Sequence, residues 1–283
     1  MMKKWSLLTI CLLVSVSLLA ACGQNKNNSG ASANAGGKTG TSASSAPEES
    51  AASKKLVVGM SADFPPYEFH IKSADGKDQI VGFDVDIANE IAKDLGAELE
   101  IKDMQFTSLL NELKSGRVDL VISGLSPKPE RAKEVDLSNI YYKAEQAVVV
   151  LEGDKDKYAT MESLVGKKIG VQTGSIQEDM AKEIKDAKLT KLAKISDIIM
   201  QLKSGRVDAA IIEGPVAESF VKNVQGLAIT AAKPVTEDEG YVIGVKKGNT
   251  ELLNQVNTTL ERLQKDNLID QFVQKANELA EQK

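Results

Sequence analysis

The chain has 283 residues, ordinary shares of hydrophobic and charged side chains, and a formal net charge of −5. This composition is typical of a soluble globular protein with enough core for one large domain or two lobes. No segment is strongly basic, which excludes nucleic acid as an expected partner.

Residues 1–21 are predicted to be an export signal. Lys3 and Lys4 precede an apolar run that is shorter than the ~20 residues of a membrane-spanning helix. The run ends in Leu-Ala-Ala-Cys at Cys22, which resembles the bacterial lipobox. That resemblance implies cleavage before Cys22 and lipidation of its thiol. An uncleaved anchor helix is the alternative interpretation.

Residues 22–53 are predicted to be a lipid-anchored disordered linker. Residues 23–53 are almost all small or polar, and none is aromatic or branched aliphatic. Such a segment buries too little apolar surface to offset the entropy cost of ordering. As a flexible coil it would span roughly 30 Å root-mean-square between the anchor and the folded part.

The folded part is expected to begin near Lys54 with alternating strands and helices. The apolar run 56–60 predicts a buried strand. Apolar residues at helical spacing predict a helix over 84–95 that ends at Gly96. A strand, a short helix and a strand should follow, at 99–103, 107–114 and 118–122. Strands that alternate with helices indicate a parallel sheet built from βαβ units.

The second half is predicted to repeat this scheme and to end in helices. Its expected strands and helices are strand 168–171, helix 175–184, helix 197–203 and strand 207–212. The seven residues Leu-Lys-Ser-Gly-Arg-Val-Asp at 113–119 recur identically at 202–208. The simplest interpretation is two α/β lobes, each with an equivalent helix–turn–strand unit.

Signals of enzymatic chemistry are mostly absent. His70 is the only histidine, so no histidine cluster can bind a metal, and we expect it to be a surface residue rather than a catalytic base. The sequence has no nucleophile elbow, phosphate loop or dinucleotide fingerprint. We therefore expect a protein without a metal, a cofactor or a catalytic residue.

Four spaced motifs carry a family resemblance. They are Ser-Ala-Asp-Phe-Pro-Pro-Tyr-Glu-Phe at 61–69, Val-Gly-Phe-Asp-Val-Asp at 81–86, Ser-Gly-Leu-Ser with Pro-Glu-Arg at 123–131, and Gly-Val-Gln-Thr-Gly-Ser at 170–175. Together they resemble the polar amino-acid-binding proteins of bacterial ABC importers, solute-binding protein family 3. The resemblance covers almost all of residues 54–283.

The resemblance implies a type II periplasmic binding protein-like fold, with two α/β lobes joined by a two-strand hinge. The hinge strands are expected near 142–148 and 237–245. We therefore expect lobe 1 at 54–145 and lobe 2 at 146–236, with 237–283 returning to lobe 1 and forming the C-terminal helices. In open α/β sheets, ligands bind beyond the carboxyl ends of strands.

The resemblance also implies how a free amino acid is held. Arg131 would bind the ligand carboxylate through its planar guanidinium, with the hydroxyl of Ser126. Thr173 and Ser175, before a helix of the second lobe, would bind the same carboxylate through backbone N–H groups. Glu213 would pair with the ligand ammonium. The alternatives are a solvated charge run for Arg131, a helix cap for Ser175 and a helix-initiating acid for Glu213.

The ligand side chain is expected to lie between Phe64 and Phe106, although ordinary core packing explains Phe106 nearly as well. Ser61 stands where several relatives that bind basic amino acids carry an acid. Glu68 would then supply the charge for a cationic side chain, with cation–π attraction from the rings. The predicted ligand-binding set is completed by Ser123, Gly124 and Gln172. The expected ligand is a polar or basic amino acid, arginine first.

The expected function is that of an extracytoplasmic solute-binding lipoprotein, tethered to the membrane at Cys22. It would be a monomer that closes on its ligand and delivers it unaltered to an ABC permease and its ATPase. One alternative is a periplasmic-type dehydratase of aromatic amino-acid biosynthesis on the same fold. Another is a ligand-sensing surface module read by a separate partner.

Overall fold

The computed structural model describes residues 54–235 and 240–281. The predicted signal, Cys22, the linker and part of the second hinge strand lie outside the described residues. Residues Ala51–Lys283 form one compact unit.

The described residues include no helix that is both long and apolar enough to cross a membrane.

The first part of the chain alternates strands and helices, as the apolar pattern predicts. Its elements in chain order are β1 (Lys55–Met60), β2 (Asp63–Phe64), β3 (Glu68–Lys72), β4 (Asp78–Val81), α1 (Phe83–Asp94), β5 (Glu98–Asp103), a 3-10 turn (Phe106–Ser108), α2 (Leu109–Ser115), β6 (Leu120–Val121), α3 (Pro129–Glu134) and β7 (Val135–Leu137). Helix α1 buries one apolar face, and Gly96 follows it with a left-handed φ of 60°, a conformation that favours glycine.

The second part repeats this alternation and then returns. Its elements are β8 (Gln146–Leu151), two 3-10 turns (Glu152–Asp154 and Met161–Leu164), β9 (Lys168–Gln172), α4 (Ile176–Lys182), β10 (Lys188–Leu192), α5 (Ile195–Lys203), β11 (Ala209–Glu213), α6 (Gly214–Asn223), β12 (Leu227–Ile229), β13 (Gly244–Lys246), α7 (Thr250–Lys265) and α8 (Leu268–Ala280). Helices α7 and α8 pack against α1.

Two five-stranded sheets of matching topology organise the described residues. Their strand orders are β5-β1-β6-β13-β7 and β10-β9-β11-β8-β12. In each sheet the first three strands are parallel and the last two run antiparallel to their neighbours. Strands β2, β3 and β4 form a third, small antiparallel sheet. We call the parts built on the first and second five-stranded sheets lobe 1 and lobe 2.

The chain passes between the two sheets twice. It enters the second sheet at β8 and returns to the first at β13. Just outside these strands, Tyr142 and Tyr241 form an antiparallel bridge, in which the Tyr241 N–H donates to the Tyr142 carbonyl at 2.8 Å. The two crossing segments therefore lie side by side.

The repeated heptapeptide has the same structure in both lobes. Gly116 and Gly205 both have a left-handed φ, 76° and 68°, and end α2 and α5. Asp119 accepts a hydrogen bond from the Val57 N–H at 2.8 Å, and Asp208 accepts one from the Lys168 N–H at 2.8 Å. Each aspartate N–H also donates back to the carbonyl of that same partner. Each copy thus joins a helix end to the neighbouring strand of its own sheet.

The structure refines several predicted bounds. The predicted helix 107–114 begins as a 3-10 turn, because α2 starts only at Leu109. The predicted strand 118–122 pairs regularly only over Leu120–Val121. Strands β2, β3 and β4 form a hairpin sheet that the apolar pattern did not predict.

Candidate functional site

A cavity lies between the two lobes. Its wall is formed by residues of both lobes: Ser61, Phe64, Phe106, Ser123, Gly124, Ser126 and Arg131 from lobe 1, and Gln172, Ser175, Ile176 and Gln177 from lobe 2. The structure therefore brings together most residues that the sequence singled out. The predicted residues Glu68, Thr173 and Glu213 do not line this cavity.

The lobe 1 wall carries two phenylalanine rings. Phe64 ends β2 and packs against Tyr67, with ring centroids 4.9 Å apart. A Cβ on Gly124 would lie 2.7 Å from the Phe64 ring, and the φ of Gly124 is 51°. A larger residue at position 124 would therefore displace this ring. Phe106 begins the 3-10 turn before α2 and is half-buried. Its side chain therefore both lines the cavity and packs against the core.

Arg131 reaches the wall from α3 and is only 7% exposed. Its guanidinium donates to the Ser126 carbonyl at 2.8 Å and to the Gly174 carbonyl at 2.9 Å. The guanidinium carbon lies 5.4 Å from the centroid of the Phe106 ring, within the range of a cation–π contact. Arg131 thus spans from its own lobe to the loop before α4 in lobe 2.

The lobe 2 wall consists of Gln172 at the end of β9 and of the beginning of α4. Ser175 is the N-cap of this helix, since its hydroxyl accepts the Glu178 N–H at 3.1 Å. Ser175 is both a cap and a wall residue. Ile176 and Gln177 in the first turn also line the cavity, and neither was predicted from the sequence. The predicted helix start could have indicated these two residues, because a helix whose N-terminus faces a ligand also contacts that ligand through the side chains of its first turn.

Thr173 lies away from the wall, where its hydroxyl donates to the Leu192 carbonyl at 3.3 Å.

Gln177 forms hydrogen bonds in the direction of the two crossing segments. Its amide donates to Gln146 on β8 at 2.6 Å, and Gln146 donates to the Tyr241 hydroxyl at 3.3 Å. The wall of lobe 2 is therefore connected by hydrogen bonds to both crossing segments.

Glu213 ends β11 and is completely buried. One carboxyl oxygen accepts the Tyr67 hydroxyl of lobe 1 at 2.7 Å, and the other accepts the Val216 N–H at 3.0 Å as a cap of α6. Burial raises the pKa of Glu213 to about 8, although both hydrogen bonds oppose the shift. Glu213 is thus a helix cap that also joins the lobes.

Glu68 lies on β3, fully buried behind the wall, and accepts a hydrogen bond from the Ser123 hydroxyl. Burial raises the pKa of Glu68 well above its usual range, and the neighbouring Asp84 raises it further. Among the described residues that form the wall, Arg131 alone carries a formal charge. The described residues also contain no group of three or more histidine, cysteine or acidic side chains able to hold a metal ion.

Comparison with known proteins gives consistent matches. The model of the bacterial extracellular solute-binding proteins, family 3, matches residues 56–277. The arginine-binding extracellular protein ArtP of Bacillus subtilis is 39% identical over 97% of this chain and 98% of its own length. The glutamine-binding protein GlnH of the same organism is 30% identical over 97% of both chains.

A solved structure shows the same likeness in three dimensions. The amino acid ABC transporter substrate-binding protein AbpA of Streptococcus pneumoniae, crystallised with L-arginine, superposes with a TM-score of 0.78 and 41% identity. The match covers 81% of this chain and 97% of that one.

Proposed function

The chain belongs to the bacterial extracellular solute-binding proteins of family 3 and has their two-lobed α/β fold, and we propose that it binds L-arginine between its lobes. The observation that carries the proposal is the wall on which Arg131 and two phenylalanine rings face the start of a lobe 2 helix. Such a wall offers a site for a carboxylate and a site for a planar cation. Relatives that match most of this chain are named for binding arginine.

In this proposal, the ligand carboxylate binds Arg131. The guanidinium provides paired charged donors, and Ser126 adds a hydroxyl. The first turn of α4 faces the same point from lobe 2, so its N–H groups and Ser175 complete the carboxylate site. Because Arg131 and α4 belong to different lobes, a ligand held by both favours the closed state.

The ligand guanidinium lies against Phe64 and Phe106. A planar cation over an aromatic face gains ~2 kcal/mol when it is desolvated. Glu68 lies behind Ser123 and does not line the cavity. Recognition of the cation therefore rests chiefly on the rings and on neutral acceptors of the wall.

The ligand ammonium binds Glu213 after the carboxylate exchanges the Tyr67 hydroxyl for this stronger, charged partner. The position supports the assignment, because Glu213 is the last residue of β11, at the carboxyl end of this strand in lobe 2. A buried carboxyl group gains most from a charged partner that arrives with the ligand.

The protein acts outside the cytoplasm as the solute-capturing part of an ABC importer, as its family does. We propose further that a lipid on Cys22 anchors a monomer to the membrane through the linker of residues 22–53. Lobe 1 would comprise 54–145 and 237–283, and lobe 2 146–236. The closed form would then be recognised by an ABC permease, whose ATPase drives release of the unaltered ligand.

Calorimetric titration of the compact unit Ala51–Lys283 with each common amino acid tests the proposal. L-arginine should bind with the lowest Kd and raise the melting temperature by several degrees at ~1,000-fold its Kd. If no amino acid binds, the proposed function is wrong.

Glutamine is the second candidate. The observation that favours it is the neutral wall, on which the amides Gln172 and Gln177 stand beside Arg131, whereas the acids Glu68 and Glu213 lie outside it. A neutral amide side chain needs no counter-charge there. Tighter binding of L-glutamine than of L-arginine in the same titrations would select this candidate.

A further inference from the structure

Two acidic residues are buried directly behind the lobe 1 wall. Glu68 and Asp84 each have an exposure of 0%. Glu68 accepts a hydrogen bond from the Ser123 hydroxyl. Asp84 accepts the Gly124 N–H at 3.1 Å and the Tyr141 hydroxyl at 2.9 Å. Both acids therefore hold consecutive wall residues, Ser123 and Gly124, from behind.

The other oxygen of each carboxyl group lacks a donor. Within the described residues, Glu68 Oε2 and Asp84 Oδ1 are buried without a hydrogen-bond partner, and the two carboxyl groups interact with each other. Two ionised carboxylates so placed would repel each other in a medium that hardly screens them. One proton between the two oxygens removes the repulsion and satisfies both atoms at once.

The contacts indicate which acid keeps the proton. Asp84 receives two donors from the protein, whereas Glu68 receives one, so the negative charge is better held on Asp84. Burial raises the pKa of both groups, and the charge of Asp84 raises that of Glu68 further. For Asp84, the hydrogen bonds from Gly124 and Tyr141 oppose burial and leave its pKa at about 7.

We propose that Glu68 and Asp84 share one proton and act as a single positioning pair for the Ser123–Gly124 part of the wall. Protonated Glu68 donates to Asp84, and the pair carries one negative charge. Ser123 is fixed from two sides, since its oxygen also accepts the Ser61 N–H at 3.1 Å. Loss of the proton puts a second charge behind the wall and disturbs Ser61, Ser123 and Gly124 together. The consequence for ligand binding rests on the proposed function.

Other titratable groups face the Glu68–Asp84 pair, so the test must separate their titration from that of the pair. Asp63 and Glu213 are close enough to act on its charges, and Tyr141 bonds to it. Glu213 has a pKa raised to about 8 by burial and so titrates in the same range. All comparisons are therefore made in a Glu213→Gln background, which replaces that acid by a neutral group of the same shape.

The first measurement is the melting temperature of the ligand-free parent between pH 6 and pH 9. In the folded parent, the Glu68–Asp84 pair has a pKa above the value of these acids in the unfolded chain. The free energy of unfolding therefore falls as pH rises through the folded-state pKa. We expect a fall of about 5 °C or more in the parent. Glu68→Gln keeps an acceptor for Ser123 and a donor for Asp84 but has no proton to lose, and should reduce the fall to less than half. Glu183→Gln, at an exposed acid, should keep the parental fall.

Asp84→Asn gives a second, independent variant. Its amide oxygen still accepts from Gly124 and Tyr141, and its NH2 group donates to Glu68, which then carries the charge. This variant removes the repulsion between the acids but leaves Glu68 buried, so it should keep only part of the pH-dependent fall. If Glu68→Gln or Asp84→Asn folds and keeps the full parental fall, the shared proton is disproved.

The second measurement is the Kd for L-arginine over the same pH range. In the parent it should rise by up to about tenfold per pH unit above the pKa of the pair, and in Glu68→Gln it should rise only as far as titration of the ligand itself requires. An identical rise in both proteins contradicts the proposal. If L-arginine binds at no pH even to the protein that keeps Glu213, the proposed function fails, and the ligand-free melting series still decides the proton pair.

Discussion

Arg131 is the wall residue whose replacement should weaken ligand binding most. Arg131→Ala removes the paired charged donors for the carboxylate and should raise the Kd for L-arginine by on the order of 100-fold. Arg131→Lys keeps the charge but not the planar fork, so its loss should be about tenfold. Calorimetric titration measures both.

Arg117 provides the matched control for this experiment. It is exposed and pairs with Glu112 on the surface of lobe 1, so Arg117→Ala should change the Kd by less than about twofold. An unchanged Kd in a folded Arg131→Ala variant would show that the ligand carboxylate does not bind Arg131.

Glu213 makes proton release a signature of ligand binding. Its pKa of about 8 in the ligand-free protein leaves it mostly protonated at pH 7. Pairing with the ligand ammonium favours the ionised form, so binding should release nearly one proton at pH 7, and the release should decline as pH rises through 8. Titrations in buffers of different ionisation enthalpy measure this number. Glu213→Gln should abolish the release, and a release that persists in this variant would assign the proton to another group.

At the scale of elements, one helix of lobe 2 is capped from lobe 1. The Asp63 carboxylate accepts the N–H of Ile195, the first residue of α5, at 2.7 Å, and no side chain at the cap position itself does so. Asp63→Ala should cost the closed state about 1–2 kcal/mol. The Kd for L-arginine should then rise by about tenfold, because only the closed form holds the ligand from both sides.

The repeated heptapeptide supplies controls of the same chemical kind. Asp119 and Asp208 each accept one backbone N–H at 2.8 Å, but within a single lobe. Asp119→Ala and Asp208→Ala should lower the melting temperature while leaving the Kd nearly unchanged. An equal effect of all three substitutions on the Kd would show that the Asp63 contact has no special role in closure.

The strongly periodic elements could be predicted from the sequence, and the short ones could not. Helix α1 and strand β1 follow from an unbroken apolar stripe and run. Strands β2 and β12 have two and three residues, too few for alternation to be recognised. They exist because larger elements hold them in place, which no local pattern records.

The wall of the cavity was predictable where a motif marks a strand end, as at Ser123 and Gly124. The side on which a residue lies was harder to predict. Glu68 belongs to the same motif as Phe64, yet β3 turns it away from the cavity to meet Asp84, a residue 16 positions later in the numbering. Long-range packing decides such orientations, so an acid near a cleft does not by itself indicate a contact with the ligand.

At the scale of the whole molecule, one lysine adds contacts between the two lobes to those of Arg131, Tyr67 and Asp63. Lys128 of lobe 1 donates to the Ser175 carbonyl at 2.9 Å and pairs with the Asp179 carboxylate, both in lobe 2. Its side chain is 13% exposed, so solvent screens the pair only in part. These contacts bridge the two lobes, so separation of the lobes would break them.

Lys128→Ala should therefore act on the lifetime of the closed complex. The dissociation rate of radiolabelled L-arginine should rise by about tenfold, whereas the association rate, which depends on the open form, should change little. Asp179→Ala should have a smaller effect, since Lys128 still reaches the Ser175 carbonyl, and the double variant should resemble Lys128→Ala because the pair acts as a unit. Lys133→Ala on the exposed face of α3 is the control. A slower association rate with an unchanged dissociation rate would mean that Lys128 steers the ligand electrostatically and does not hold the lobes together.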